Sequence, residues 1–323
     1  MSRIESSSAR LQSEPLPDNL RSVQPGGGFC YRVELAWGRW RRWYLRNFRR
    51  GYVQRMAQSR TGSTRGAGHE ILDPRDLKYC RNQCTCDWQL DPFAWRDALP
   101  FARWGLAELQ IMGYPLLLLA AIGAWFHPLW ALPPALMLGF VLYFFRDPPR
   151  RVPAEAGLFV SPADGTVAEV TRLESDEFIG GPAVRIGIFL SVFNVHVNRA
   201  PAESRVIRLR YQPGEFLNAM NPASAVRNEN LWIGLEEESP PHRRLVVRQI
   251  AGLLARRIVC NLRSGELVAR GHKFGMIKLG SRTELVFPEE GGLQVLARVG
   301  QKVKGGSTVL ARYDGTLPAA GSA

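Results

Sequence analysis

Cysteine is scarce in this chain. Five cysteines in 323 residues, three of them crowded at Cys80, Cys84 and Cys86, exclude a disulfide-stapled scaffold. Those three lack a second ligand pair at a standard spacing, and His69 is the only histidine near them, so no metal site is expected. The opening stretch MSRIESSSARLQSEP lacks an apolar core. No signal peptide is therefore expected, and a reducing cytoplasm is the expected setting. Acidic residues are outnumbered, 29 against 42 Lys and Arg. The resulting net charge of +13 points to an anionic partner, either nucleic acid or an acidic membrane surface.

Charge is missing altogether from residues 109–145, which contain no Asp, Glu, Lys or Arg. As one helix this run would extend about 55 Å, well beyond a hydrocarbon core of about 30 Å. Pro128, Pro133 and Pro134 interrupt it, so it reads as two short apolar segments, 111–126 and 129–145, joined near His127-Pro128. A spanning hairpin and a re-entrant one both fit. The competing reading is a buried helical pair in a soluble core. Arg96 and Arg103 precede the run, and Arg146, Arg150 and Arg151 follow it, which puts both ends on the cytoplasmic face of the cell membrane.

Three regions follow from this. Residues 1–95 form a basic, Trp/Arg-rich extension without sustained periodicity, expected to be weakly ordered. Within it, WGRWRRWYLRNFRRGY (37–52) interleaves aromatic and basic residues in a way that suits anionic lipid or nucleic acid. Residues 96–145 form an interfacial helix and the membrane hairpin. From 146 to 323, short alternating runs separated by turn residues predict strands at 165–171, 183–191, 204–211, 231–235, 244–250, 274–279, 284–287, 293–299 and 308–313. One short helix is predicted at 251–259. The fold class is α+β, mostly β, with a β-rich domain preceded by a short hydrophobic helical hairpin.

The chemistry centres on Gly280-Ser281. A serine hydroxyl can attack the carbonyl before it, and Gly280 has no Cβ to block the approach. An N→O acyl shift followed by β-elimination would cut the chain, and hydrolysis would leave a pyruvoyl group at position 281. Taken alone, Gly-Ser is equally a β-turn dipeptide. Asp164, in SPADG, is by itself a hairpin signal. His196, in FLSVFNVHVNRAP, is by itself a core histidine. Together with Ser281 they would make an orienter, a base and a nucleophile.

The ordered motifs FFRDPPR, SPADGTV, FLSVFNVHVNRAP, RNEN and GHKFGMIKLGSR resemble the phosphatidylserine decarboxylase proenzyme family, of the short bacterial and archaeal type with an LGSR processing motif. The resemblance covers roughly residues 100–315 and implies a membrane-associated, pyruvoyl-dependent lyase of phospholipid biosynthesis. It implies self-cleavage at 280/281 into a large chain, 1–280, and a small chain, 281–323, that stay together. Ser281 becomes the pyruvoyl group, while His196 and Asp164 assist cleavage. An anionic aminophospholipid is the expected substrate. Lys273, Arg282 and Arg270 are expected to hold its phosphodiester by proximity alone. A homo-oligomer is compatible with the sequence; nucleic acid stays outside the expected partners. One departure stands out: where the longer bacterial branch carries a second histidine, this chain has Arg199. The rival reading is a lipoyl- or biotinyl-carrier-like membrane adaptor. SPADGTVAEV and VGQKVKGGSTVLARY each look like half of a carrier barrel, but Lys278 lacks the flanks of a carrier lysine. On either reading the β domain is built of barrel-sandwich-like halves.

Overall fold

The computed structural model describes residues 10–81, 84–218, 223–253, 257–278 and 281–314. Contrary to the sequence expectation, the basic extension is folded. Helix α1 (Phe29–Phe48) runs into α2 (Arg50–Gln58), and β1 (Arg60–Thr61) pairs with β2 (Asp87–Trp88). A 3-10 helix, Pro74–Tyr79, begins with a reciprocal capping box between Asp73 and Asp76. The order comes from pairing that hydrophobic periodicity does not register. Arg41 and Arg42 of α1 are buried against Asp76, and Leu20 enters the main core. Backbone bonds from Glu14 N to Ile207 O (2.8 Å) and from Cys260 N to Val23 O (2.9 Å) sew the extension onto the β domain.

The apolar run forms two helices, α3 (Leu106–Phe126) and α4 (Pro128–Phe144), as the proline spacing predicts. His127 caps α4, its Nδ1 accepting from Leu129 N at 3.3 Å. The two helices close tightly where Gly123 faces the Trp130 backbone; a Cβ there would sit 2.7 Å from the Trp130 carbonyl oxygen. With its lead-in, α3 makes a helix of 24 residues, Arg103–Phe126, long and apolar enough to cross a membrane. Its outer surface is apolar and uncovered, with Leu117, Leu118, Trp125 and Phe126 all more than half exposed. The root is different. Val141, Phe144 and Phe145 are buried against Val195, Val197 and Met276 of the β domain.

The β domain is antiparallel throughout the named strands. Its strands are β3 (Leu158–Val160), β4 (Gly165–Asp176), β5 (Gly181–Leu190), β6 (Val197–Arg199), β7 (Ser204–Gln212), β8 (Asn230–Glu237), β9 (Arg244–Ala251), β10 (Arg257–Cys260), β11 (Leu267–Val268), β12 (Lys273–Lys278), β13 (Ser281–Pro288), β14 (Leu293–Val295), β15 (Lys302–Val303) and β16 (Val309–Tyr313). Eight form one sheet in the order β11-β7-β8-β9-β13-β5-β4-β15. The triplets β10-β12-β6 and β14-β16-β3 make two smaller sheets. Phe159, Ile186, Ile188, Leu190, Leu231, Phe274 and Phe287 belong to the shared core. The helix expected at 251–259 is absent from its described residues: Ala251 ends β9, and 257–260 form β10, where Ile258 and Val259 pair with β12. β-Branched residues beside an available strand edge outweigh the weak helical pattern.

Candidate active site

Ser281 opens β13 and is fully buried, paired with Leu190 of β5 on one side and Ala251 of β9 on the other. Its Oγ has no hydrogen-bond partner among the described residues. A buried hydroxyl left unpaired costs about 1–3 kcal/mol, and such a group marks a site of chemistry or stored strain. Gly280, the other half of the motif, lies with Leu279 outside the described residues.

Strand alternation divides β13 into two faces. Thr283 shares the Ser281 face and lies opposite Gln249. There a buried polar chain assembles: Gln249 Nε2 donates to Asn198 Oδ1 (2.9 Å), and Asn198 Nδ2 donates to Thr283 Oγ1 (3.1 Å) and to the Pro162 carbonyl (3.4 Å). Asn198 thus ties the SPADG loop, β6 and β13 into one locus. Arg282 points the other way. Its guanidinium is buried in a charge ladder with Glu284 (2.9 Å) and Glu169 (2.7 Å), which removes it from the expected phosphodiester role.

His196 precedes β6, at the end of a turn fixed by Asn194, whose Oδ1 accepts from the Ser191 N (2.8 Å) and hydroxyl (2.9 Å). The imidazole Nδ1 lies 2.9 Å from the Asn194 carbonyl. A carbonyl only accepts, so Nδ1 carries the proton and Nε2 the lone pair, which is the tautomer of a base. The ring is fully buried, with the Phe144 ring centroid 4.5 Å away. Burial pushes its pKa down to about 4, with the hydrogen bond to the Asn194 carbonyl opposing and the Arg146 charge adding to the fall. The imidazole is therefore neutral at ordinary pH.

Asp164 does not play the orienting part expected for it. Its Oδ2 accepts from Arg150 Nη2 (2.6 Å) and its Oδ1 from Gly305 N (2.8 Å), while the Asn194 carbonyl orients the imidazole. Burial raises the Asp164 pKa, and Arg150 and Gly305 oppose the rise. Gly165 is not a turn tip either. It starts β4 so close to β5 that a Cβ would meet the Phe189 carbonyl at 2.2 Å.

Arg199 pairs with Asp147 Oδ1 (2.8 Å) and donates to the Gly271 carbonyl (3.2 Å), and Lys273 holds the other Asp147 oxygen at 2.6 Å. Asp147, from FFRDPPR, thereby locks the hairpin exit to β6 and β12. Lys273 keeps about a third of its side chain exposed, whereas Arg270 is bound to the Pro153 (2.8 Å) and Glu155 (2.6 Å) carbonyls. Lys278, two residues before Gly280, is buried against Glu108 of α3 and Gln24 of the extension, at 3.0 Å from Gln24 Oε1. This ionic and amide contact also excludes Lys278 as a displayed carrier lysine. Sequence reasoning missed Gln249, Thr283, Asn194 and Glu108. Asn194 and Asn198 lay inside a quoted motif, but Gln249 and Glu108 have no local signature.

A family model described as phosphatidylserine decarboxylase matches residues 137–311. Among relatives called phosphatidylserine decarboxylase proenzyme, one from Rhodopirellula baltica is 52% identical over 239 residues, covering 73% of this chain and 99% of the relative. One from Carboxydothermus hydrogenoformans is 40% identical over 220 residues, 68% of this chain and 100% of the relative. One from Nitrosomonas europaea is 42% identical over 224 residues, 69% and 96% respectively.

Proposed function

The chain belongs to the phosphatidylserine decarboxylase family, and from that membership we propose how its own residues perform the reaction. It is a membrane-associated lyase that converts phosphatidylserine to phosphatidylethanolamine and is made as a proenzyme. The carrier-like reading of the SPADGTVAEV halves gives way to this, since Lys278 is sequestered.

Activation begins at Ser281. The Nε2 of His196 takes the hydroxyl proton and the oxygen attacks the Gly280 carbonyl carbon. The C–N bond between 280 and 281 breaks as its nitrogen takes up the proton. β-Elimination of the resulting ester separates the chains, and hydrolysis with loss of ammonia leaves the pyruvoyl group. The observation that carries this reading is the Ser281 Oγ, buried and without a hydrogen-bond partner among the described residues, at the first position of a central strand. That position has a second consequence. β13 is hydrogen-bonded along both edges, so cutting the chain ahead of it leaves the small chain 281–323 held by β5 and β9. The same site suits a pyruvoyl group: position 281 becomes a buried chain end on the face of β13 that also carries Thr283, which is joined to the Asn198–Gln249 amide chain. The pyruvoyl carbonyl supplies the electrophile for the substrate amine and the sink for electrons released with carbon dioxide.

His196 is the proton donor to the carbon that loses the carboxylate, passing on a proton drawn from solvent in each turnover. In this reading Lys273 meets the phosphodiester; what supports it is a partly exposed side chain beside the Arg199–Asp147 pair. The hairpin lets the β domain reach its lipid at the bilayer surface, with both hairpin ends on the cytoplasmic face. The intact mass of the purified protein tests the core of this. Two chains divided at 280/281, the smaller one resistant to Edman sequencing, are expected. A single active chain of 36.2 kDa would overturn it.

A further inference from the structure

Helix α1 is inside out. An ordinary surface helix buries apolar residues and shows charge to water. Here the buried side carries Glu34, Arg41 and Arg42. Glu34 meets Lys78 and the Tyr79 hydroxyl, and both arginines meet Asp76. The flank beside that buried face shows Trp37, Trp40, Tyr44 and Phe48, at spacings of three, four and four residues that align them in one stripe about a quarter-turn round the helix. Their rings stack in sequence, with centroids 4.7, 5.7 and 5.5 Å apart. Trp37, Trp40 and Phe48 are each half or more exposed. The helix cannot roll over to hide this stripe, because rolling would break the buried ion pairs.

We propose that α1 is an interfacial helix whose aromatic stripe lies in the headgroup layer of an anionic bilayer, as a docking element separate from the hairpin. Two observations choose the bilayer as occupant. The first is charge. Residues 29–58 contain eight arginines and one acidic residue, and Arg32, Arg39 and Arg49 are exposed with no ion pair among the described residues. Tryptophan and tyrosine beside arginine form the composition of a membrane–water boundary, where an aromatic ring is half in hydrocarbon and arginine meets lipid phosphate. The second is continuity with the hairpin. The first turn of α1 sits at the start of α3, close enough for Glu108 and Lys278 to act on the Cys30 thiol. A groove of about 1050 Å³ also runs between α1 and the hairpin root, lined by Trp37, Trp95, Trp104, Tyr114 and Leu142. Trp37, the first residue of the stripe, therefore shares this groove with the aromatic residues near the hairpin root and with charged side chains such as Arg75 and Arg103. The family match at 137–311 does not reach α1, and the proposal does not depend on the decarboxylase reading.

The test uses the full chain with its hairpin intact. Tryptophan emission is quenched by lipids brominated near the headgroup, and the share from α1 is the difference from a Trp37→Phe/Trp40→Phe/Trp43→Phe variant. Vesicles are phosphatidylcholine alone or with one-third phosphatidylglycerol. The α1 share is expected to be quenched on anionic vesicles, and to lose that quenching in high salt or in an Arg32→Gln/Arg39→Gln/Arg49→Gln variant. Trp40→Asp should weaken the vesicle-bound fraction of α1 about tenfold while Trp40→Phe preserves it. Circular dichroism of each variant separates loss of docking from loss of fold. The proposal is overturned if the α1 share stays open to aqueous iodide on anionic vesicles. It is equally overturned if that share responds to single-stranded poly-U RNA and not to vesicles, which would make α1 a nucleic-acid surface.

Discussion

Phe144, the last residue of the hairpin, stands with its ring 4.5 Å from the ring of His196. The apolar hairpin and the proposed base are therefore in van der Waals contact. Phe144 is one of the residues that bury the imidazole, and that burial depresses its pKa to about 4. Replacing Phe144 by Ala should cost about 3–5 kcal/mol of stability through the cavity left behind. It should also raise the His196 pKa toward the ordinary value near 6.5 as water enters. Phe144→Leu should keep both nearer to wild type. Proton NMR titration of the histidine ring signals checks the shift.

The depressed pKa fixes the pH dependence of self-cleavage. A base near neutrality would fade below about pH 6.5; His196 remains an acceptor down to about pH 4. Processing in cell-free synthesis should therefore hold a plateau from neutral pH to about pH 5 and fall below it. His196→Gln should slow cleavage by about 10²–10⁴ at every pH. Stability follows the same group with a definite sign. Between the unfolded value of about 6.5 and the folded value of about 4, the unfolded chain binds the extra proton. Stability from this group is complete above about pH 6.5 and lost as pH falls toward 4, by an amount on the order of 3 kcal/mol. Denaturant titrations of wild type and His196→Gln across this window would read the difference.

Asp164 acts through Arg150 and Gly305, so its replacement should look unlike that of His196. Asp164→Asn retains an acceptor for Gly305 N but loses the ion pair. Processing should slow mildly, and Arg150→Met should add little to the effect of Asp164→Asn, because the two report one interaction. Additive effects in cleavage time courses would argue instead that Asp164 serves the site directly.

The sequence made some of this plain and hid the rest for physical reasons. The hairpin was legible because 37 uncharged residues broken by proline have few soluble solutions. Most strands were legible from alternation. Ser281, His196 and Asp164 stood out only through ordered motifs, and the structure assigns Asp164 partners that the motifs could not indicate. The folded extension was illegible because α1 buries arginine and displays tryptophan, reversing the pattern used to recognise a surface helix. Arg282 was misjudged because closeness in sequence to Ser281 means, in a strand, the opposite face. The Lys278–Glu108 contact joins residues 170 apart, and no local signal encodes it.

Removing membrane attachment without damaging the site requires respect for the hairpin root. Val141, Phe144 and Phe145 belong to the core beside His196, so deleting the whole apolar run would unfold the site along with the anchor. Residues 117–136 form the exposed distal part, and Gly113 already faces Leu138 across the pair, at 3.7 Å for a built Cβ. A short Gly-Ser turn in place of 117–136 should leave chain cleavage at the wild-type rate while lowering decarboxylation of lipid in bilayers. Activity on a short-chain, water-soluble phosphatidylserine should persist. Unchanged activity on bilayers would show that the distal hairpin plays no part in reaching substrate.

The Lys278–Glu108 pair offers the sharpest link between anchor and processing. Glu108 stands in the first turn of α3 and Lys278 ends β12 two residues before Gly280, both nearly fully buried. Burial lowers the lysine pKa, and the Glu108 carboxylate is the main influence holding it up. Glu108→Gln removes that compensation. The ammonium must then deprotonate or draw in water, at a cost of about 3–5 kcal/mol for one broken buried pair. The segment before the cleavage point loses its fixed anchor, so processing should slow as stability falls. Glu108→Leu with Lys278→Met replaces the pair by apolar groups of similar volume, an exchange that is often neutral or stabilising. If the pair only contributes stability, this double variant should process normally. If it sets the register of the cleavage segment, the double variant should be as stable as wild type in thermal unfolding yet still process slowly. We expect the second outcome, because Gln24 Oε1 accepts from the Lys278 ammonium at 3.0 Å and a methionine thioether cannot donate in its place.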